Sequence, residues 1–224
     1  AFSQNLDLDQ SKEFEKNPEA RKGKWNKIVT LKNTPVFNKY NFSNEGNKLT
    51  LTLKNKEIIT ININNFDERE GLVKKLIELE SSLKNDIRLM RNDEHPFYDT
   101  SISNKSIFNN SISLININSV RDFENKIDRK IEMSTFRGNL YFDGMEAWGE
   151  RNWIGKTLKI NNVLFKVEKN IPRCVAINLK PKTDDNSFNL LKILKQTYDH
   201  YDMGVYLTPE NDGEINLSEK ILIK

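Results

Sequence analysis

The sequence predicts a mostly β fold with a few helices, and three features of the chain carry that expectation. Apolar residues alternate with polar ones in many short runs, most strictly in residues 48–54 (KLTLTLK), where Leu49, Leu51 and Leu53 fall on one face. Helical periodicity is confined to a few stretches, the longest marked by Leu72, Val73, Leu76, Leu79 and Leu83. Turn signals such as Asn55-Lys56, Asp143-Gly144 and Asn161-Asn162 separate the runs. Short strands with so few helices between them point to a barrel and away from a doubly wound sheet.

Taken in order, residues 1–24 are polar, charge-rich and without a period, which predicts a loop or a loosely held arm. Residues 27–31 and 35–42 read as short strands around a turn, and residues 48–54 and 57–63 as a half-buried hairpin. The helical period covers residues 65–85, where Glu70 and Lys74 add an i,i+4 pair. A short strand is expected at 87–90, then a long polar connection at 92–110, interrupted by Pro96. Connections of that length are functional or mobile as a rule. The second half reads as strands at 112–117, 136–142, 157–160, 163–168, 175–179 and 203–207 and near Leu222, with helices at 119–126 and 188–197. The division this suggests is a β-rich region at 1–95 and a second domain at 96–224.

Charge narrows the function classes. The 35 Lys and Arg nearly balance 32 Asp and Glu, for a net charge of +3, and the lysines are interspersed along the chain. A dedicated nucleic-acid binder has a clustered basic excess, so nucleic acid is not the expected ligand. No run approaches the roughly 18 apolar residues of a membrane span. The opening Ala1-Phe2-Ser3-Gln4-Asn5 has no basic region followed by an apolar run, so no signal peptide is expected, and its lack of Met suggests a trimmed or processed start. One cysteine, Cys174, permits no internal disulfide, which fits a reducing, cytoplasmic setting. There is no Cys pair for a structural zinc or an iron–sulfur cluster, no P-loop and no GxGxxG.

Five segments carry a family resemblance: Ile112-Ser113-Leu114-Ile115-Asn116 with Ser119-Val120-Arg121-Asp122; Phe136-Arg137-Gly138-Asn139-Leu140-Tyr141-Phe142-Asp143-Gly144; Trp153-Ile154-Gly155-Lys156; Pro172-Arg173-Cys174; and Gly204-Val205-Tyr206. In order and approximate spacing they resemble MOSC-domain proteins, which include molybdenum-cofactor sulfurase C-terminal domains and the amidoxime-reducing component with its bacterial relatives. The resemblance implies a MOSC-type β-barrel preceded by a partial N-terminal β-rich region. Family members carry a Pro-Val-Lys-Ser-type motif on a first strand that contributes to the cofactor pocket; this chain has none. The start is then either missing or altered in this branch.

The resemblance also implies a site. Cys174 would be the metal ligand and catalytic residue, since a thiolate is the soft donor a high-valent molybdenum accepts. Without its Pro-Arg-Cys context, Cys174 would read as a small buried hydrophobe. Arg137 and Asn139, two apart on an expected strand, would share a face, and a guanidinium beside an amide suits a phosphate or a pterin edge. Arg173 and Tyr206 fall at cofactor-proximal positions, and Asn110 and Ser111, with Asn109, fall where relatives place phosphate contacts. The implied cofactor is molybdenum bound to molybdopterin. The implied activity is that of an oxidoreductase reducing N-hydroxylated or similar N-oxygenated small molecules. Its electrons would come from a separate iron–sulfur or flavin protein. Two further readings are a sulfur or cofactor carrier without redox turnover, and a barrel that binds no cofactor.

Overall fold

A computed structural model describes residues 1–94, 97 and 111–224. The chain divides into two compact units, one of residues 1–100 with 181–184, the other of residues 101–180 with 185–224.

The first unit is built on an antiparallel meander. A short strand β1 (Phe2–Ser3) is followed by helix α1 (Leu8–Lys16), strands β2 (Tyr40–Glu45), β3 (Lys48–Leu53) and β4 (Lys56–Asn62), helix α2 (Phe66–Leu79) and strand β5 (Arg88–Leu89), which pairs with β1. The expected hairpin is β3–β4, with Leu49 opposite Ile61 and Leu51 opposite Ile59. Leu49 and Leu51 are buried against Leu72, Val73 and Leu76 of α2, so the period-two face meets the helical face. Asn65 caps α2 by accepting from the Asp67 and Glu68 amides.

Two expectations fail here. Residues 1–24 are not a loose arm: Asp7 and Gln10 form a capping box that starts α1, and Phe14 is buried beneath it. Residues 27–31 form no strand and residues 35–42 only in part, because Pro35–Lys39 is a 3-10 turn, with Pro at its first position, and pairing begins at Tyr40.

The second unit is a curled six-stranded half-barrel sheet flanked by two helices. Its elements are β6 (Ile112–Asn116), α3 (Ile117–Ile127), β7 (Leu140–Phe142), β8 (Thr157–Ile160), β9 (Val163–Pro172), α4 (Leu190–Tyr198), β10 (Asp202–Pro209) and β11 (Ile221–Ile223). The spatial order is β11-β8-β9-β10-β6-β7, antiparallel except for β6 beside β7. Alternation along the strands separates two cores. Leu114, Val167, Val205 and Leu207 pack on one face, and Ile115, Ile171 and Met203 pack on the other with Val120 and Phe123 of α3 and Leu194 of α4.

Met203 and Val205 are two apart yet face opposite cores, because β10 slips register against β9 between Asp202 and Val205. Gly204 makes the slip possible, with φ +81° and a backbone so close to β6 that a Cβ would strike the Leu114 carbonyl oxygen. Two expected strands are corrected. Residues 136–142 form a strand only from Leu140, after a 3-10 turn at Met133–Phe136 and a left-handed Arg137. Residues 175–179 hold a 3-10 turn, Val175–Asn178, where apolar character reflects burial of Ala176 and Ile177 and no strand pairing.

Candidate functional site

Cys174 sits where β9 ends and the Val175–Asn178 turn begins. Its carbonyl accepts from the Ile177 amide at 3.1 Å, and Ala176 and Ile177 anchor the turn in the core. The thiol itself is free and half-buried, beside an exposed Val175. It is not sealed in packed hydrocarbon.

Arg173, next to it, turns inward. Its Nε donates to the Met203 carbonyl at 2.9 Å, its Nη2 donates to the same oxygen, and its Nη1 donates to the Phe136 carbonyl at 2.9 Å. Its amide donates to the Tyr201 carbonyl at 2.8 Å. Desolvation pushes the guanidinium down to about 10; Arg137 adds to that effect, and Tyr206, Tyr141 and Cys174 oppose it.

Arg137 takes the left-handed conformation at φ 46°, just after the Met133–Phe136 turn. Its guanidinium is lowered from the ordinary value by desolvation, with Cys174 and Tyr141 acting in the opposite direction. Among the described residues nothing accepts a hydrogen bond from it. Tyr141 on β7 accepts from the Gly138 amide at 2.8 Å and donates to the Met133 carbonyl at 3.2 Å. Tyr206 on β10 lies opposite Ser113 of β6 and Lys169 of β9.

Asn139 is differently engaged. Its Oδ1 accepts from both the amide and the hydroxyl of Ser113, at 2.9 and 2.8 Å, and its amide returns a bond to the Ser113 hydroxyl at 2.9 Å. It lines a cavity of about 810 Å³ between the edge strands β7 and β11, with Leu140, Phe142, Trp153, Ile215 and Leu222. The expected shared strand face of Arg137 and Asn139 does not exist, since Arg137 precedes the strand in a left-handed turn. Ser111 begins the approach to β6, its hydroxyl 3.4 Å from that of Thr208. Asn109 and Asn110 lie outside the described residues.

Arg173, one residue from Cys174, bonds the carbonyl of Phe136, the residue before Arg137; Tyr206 lies across from Ser113 and Lys169, and Asn139 is braced on Ser113. Sequence reasoning named Gly138 and Tyr141 only within the family motif and missed the bond between them, from the Gly138 amide to the Tyr141 hydroxyl beside the Arg137 turn. No pattern marks a tyrosine whose partner is an amide three residues back in a left-handed loop.

The MOSC domain family model matches residues 96–221, more than half of the chain. The chain belongs to the MOSC family. That family is associated with the molybdenum cofactor, and the β-rich half-barrel is the fold expected of a MOSC protein. Among solved structures, the chain is similar to YiiM from Geobacillus stearothermophilus at 16% identity and a TM-score of 0.40. The match covers 50% of this chain and spans about half, 53%, of that one. No curated protein matches. Among the described residues no helix is long and apolar enough to cross a membrane, and no group of three or more His, Cys, Asp or Glu is placed to share a metal.

Proposed function

We propose that this MOSC protein holds molybdenum cofactor at Cys174 and reduces N-hydroxylated or similar N-oxygenated small molecules, drawing electrons from a separate iron–sulfur or flavin protein. The observation that carries the reading is the chain's only cysteine, half-buried and free, one residue from Arg173, which bonds the Phe136 carbonyl at the foot of Arg137, a guanidinium with no acceptor among the described residues. A soft thiolate next to an unspent cation suits a thiophilic metal carried by an anionic group. The residues present therefore fit the cofactor.

Cys174 would be the protein ligand to the metal. Arg137 would bind the phosphate or pterin edge, Arg173 would keep the pocket positive from beneath, and Tyr206 would form a wall. Asn139 and Ser111 enter this reading as backbone and strand-edge braces, their oxygens being engaged by Ser113 and Thr208. When bound, the cofactor would supply a two-electron centre for removing oxygen from nitrogen, and the protein's part is to bind, orient and limit solvent. A reducing cytoplasm would keep the thiol available.

The test is molybdenum and pterin content of the purified protein beside the variants Cys174→Ser and Arg137→Gln. Near-stoichiometric metal is expected in the wild type, loss of most of it in Cys174→Ser, and a reduction of about tenfold or more in Arg137→Gln, the scale of one lost charge-assisted contact. Equal metal in wild type and Cys174→Ser sinks the ligand assignment. A persulfide on Cys174 in protein without molybdenum moves the assignment to sulfur carriage.

A further inference from the structure

We propose that Arg173 and Tyr141 are positioning residues, a two-sided clamp that holds the Arg137 turn so that its guanidinium faces Cys174. The proposal rests on the cofactor reading above, which assigns the Arg137–Cys174 pair its purpose.

Arg137 occupies a left-handed conformation, at φ 46°, which is strained for a residue with a side chain. Such a conformation persists only where the surroundings over-determine it. The turn is tied on both sides. Upstream, Arg173 Nη1 bonds the Phe136 carbonyl at 2.9 Å. Downstream, the Gly138 amide bonds the Tyr141 hydroxyl at 2.8 Å, and that hydroxyl reaches back to the Met133 carbonyl at 3.2 Å. The Arg137 amide closes the turn on the Ser134 carbonyl at 3.0 Å.

The upstream tie also reaches Cys174. Arg173 fastens the turn to the Met203 carbonyl in the β10 bulge, and Cys174 is the next residue along the chain. One side chain therefore sets the turn and the thiol relative to each other. Lysine at 173 would keep the charge but could not bridge two carbonyls with a planar fork.

Arg173 could instead serve only as a source of positive charge, and Tyr141 only as core. The discriminating experiment alkylates Cys174 in the full chain purified without added molybdenum, with iodoacetate and with iodoacetamide. Cys174 is the only cysteine, so mass spectrometry reads a single site. A loosened or more open structure changes both rates together. The ratio of the anionic to the neutral reagent reads how close an unspent cation lies.

Arg137→Gln should lower that ratio by about fivefold, the order expected for losing one neighbouring charge in a watery site. Arg173→Lys and Tyr141→Phe, which remove no positive charge, should lower it to a similar degree. Wild-type ratios in both clamp variants, with a fall in Arg137→Gln, overturn the clamp and leave the pocket reading intact. An unchanged ratio in Arg137→Gln overturns the clamp by showing that Arg137 does not face the thiol. Falls in all three variants with no molybdenum in wild type uphold the clamp and remove the cofactor reading. Should Arg173→Lys fail to fold, Tyr141→Phe alone decides, since it deletes one hydroxyl and keeps the ring.

Discussion

Gly138 stands between the two residues the sequence singles out, and it is confined on both sides. A Cβ there would lie 2.5 Å from Ile115 Cγ1 and 3.0 Å from Tyr141 Cζ. Gly138→Ala should therefore cost about 1–3 kcal/mol, the range of overpacking a filled core, read as a lower midpoint in urea unfolding. A midpoint equal to wild type would mean that the turn relaxes freely. Arg137 and Asn139 show how far single residues can be read in advance. Their hydrogen-bonding chemistry, a guanidinium and an amide, is written in the sequence. Their relation is not, because period-two alternation holds only while the backbone is extended, and Arg137 is left-handed. Asn139 then spends its carbonyl on Ser113, a partner 26 residues away that no local rule supplies.

The strands and helices were most legible where one face meets one core. The β3–β4 hairpin and α2 follow their apolar spacing where Leu49, Leu51, Leu72 and Leu76 are buried, but α2 ends at an exposed Leu79, short of the expected residue 85, and Leu83 is buried beyond it. The first 24 residues were illegible for the opposite reason, since α1 shows little apolar face and starts on the Asp7–Gln10 capping box. The β10 bulge turns Met203 toward α3 and α4 and offers its carbonyl to Arg173. Gly204→Ala should destabilise by about 2 kcal/mol or more, through positive φ and the clash with the Leu114 carbonyl, and thermal unfolding would show it. If Gly204→Ala melts with wild type, the register slip does not depend on glycine.

For the molecule as a whole, pH links the flanking groups to stability. Burial and then Arg151 hold His200 below the ordinary 6.5, against the pull of Asp202 and Asp199, with Lys195 adding to the depression. At His200 the unfolded chain thus takes the proton first, so this group's contribution to stability is complete above 6.5 and is lost as pH drops from there through the folded value, on top of the decline from 8.0 set by the buried Ala1 amine, which is lowered to about 6. Burial pushes the Asp122 carboxyl up, but bonds from Trp148, Tyr198 and Lys126 outweigh it and hold the group below 3.8, so a second loss follows below that pH. His200→Asn should flatten the first decline and leave the second, in urea midpoints measured from pH 7 to pH 3. An unchanged slope below pH 6.5 in His200→Asn would assign that decline to other groups.

The order of apolar and polar residues, by itself, determined that this is a β-rich chain with few helices, and five ordered segments identified a MOSC domain. Those features are local, since alternation and turn chemistry act over a few residues. Only the tertiary structure decided which side chains meet. The Met203 carbonyl reaches Arg173, and Tyr141 reaches the Arg137 turn, through a bulge and a left-handed residue that each break the local rule. Their cost is borne by packing and hydrogen bonds between segments distant in the chain, and no reading of neighbours along the sequence contains those contacts.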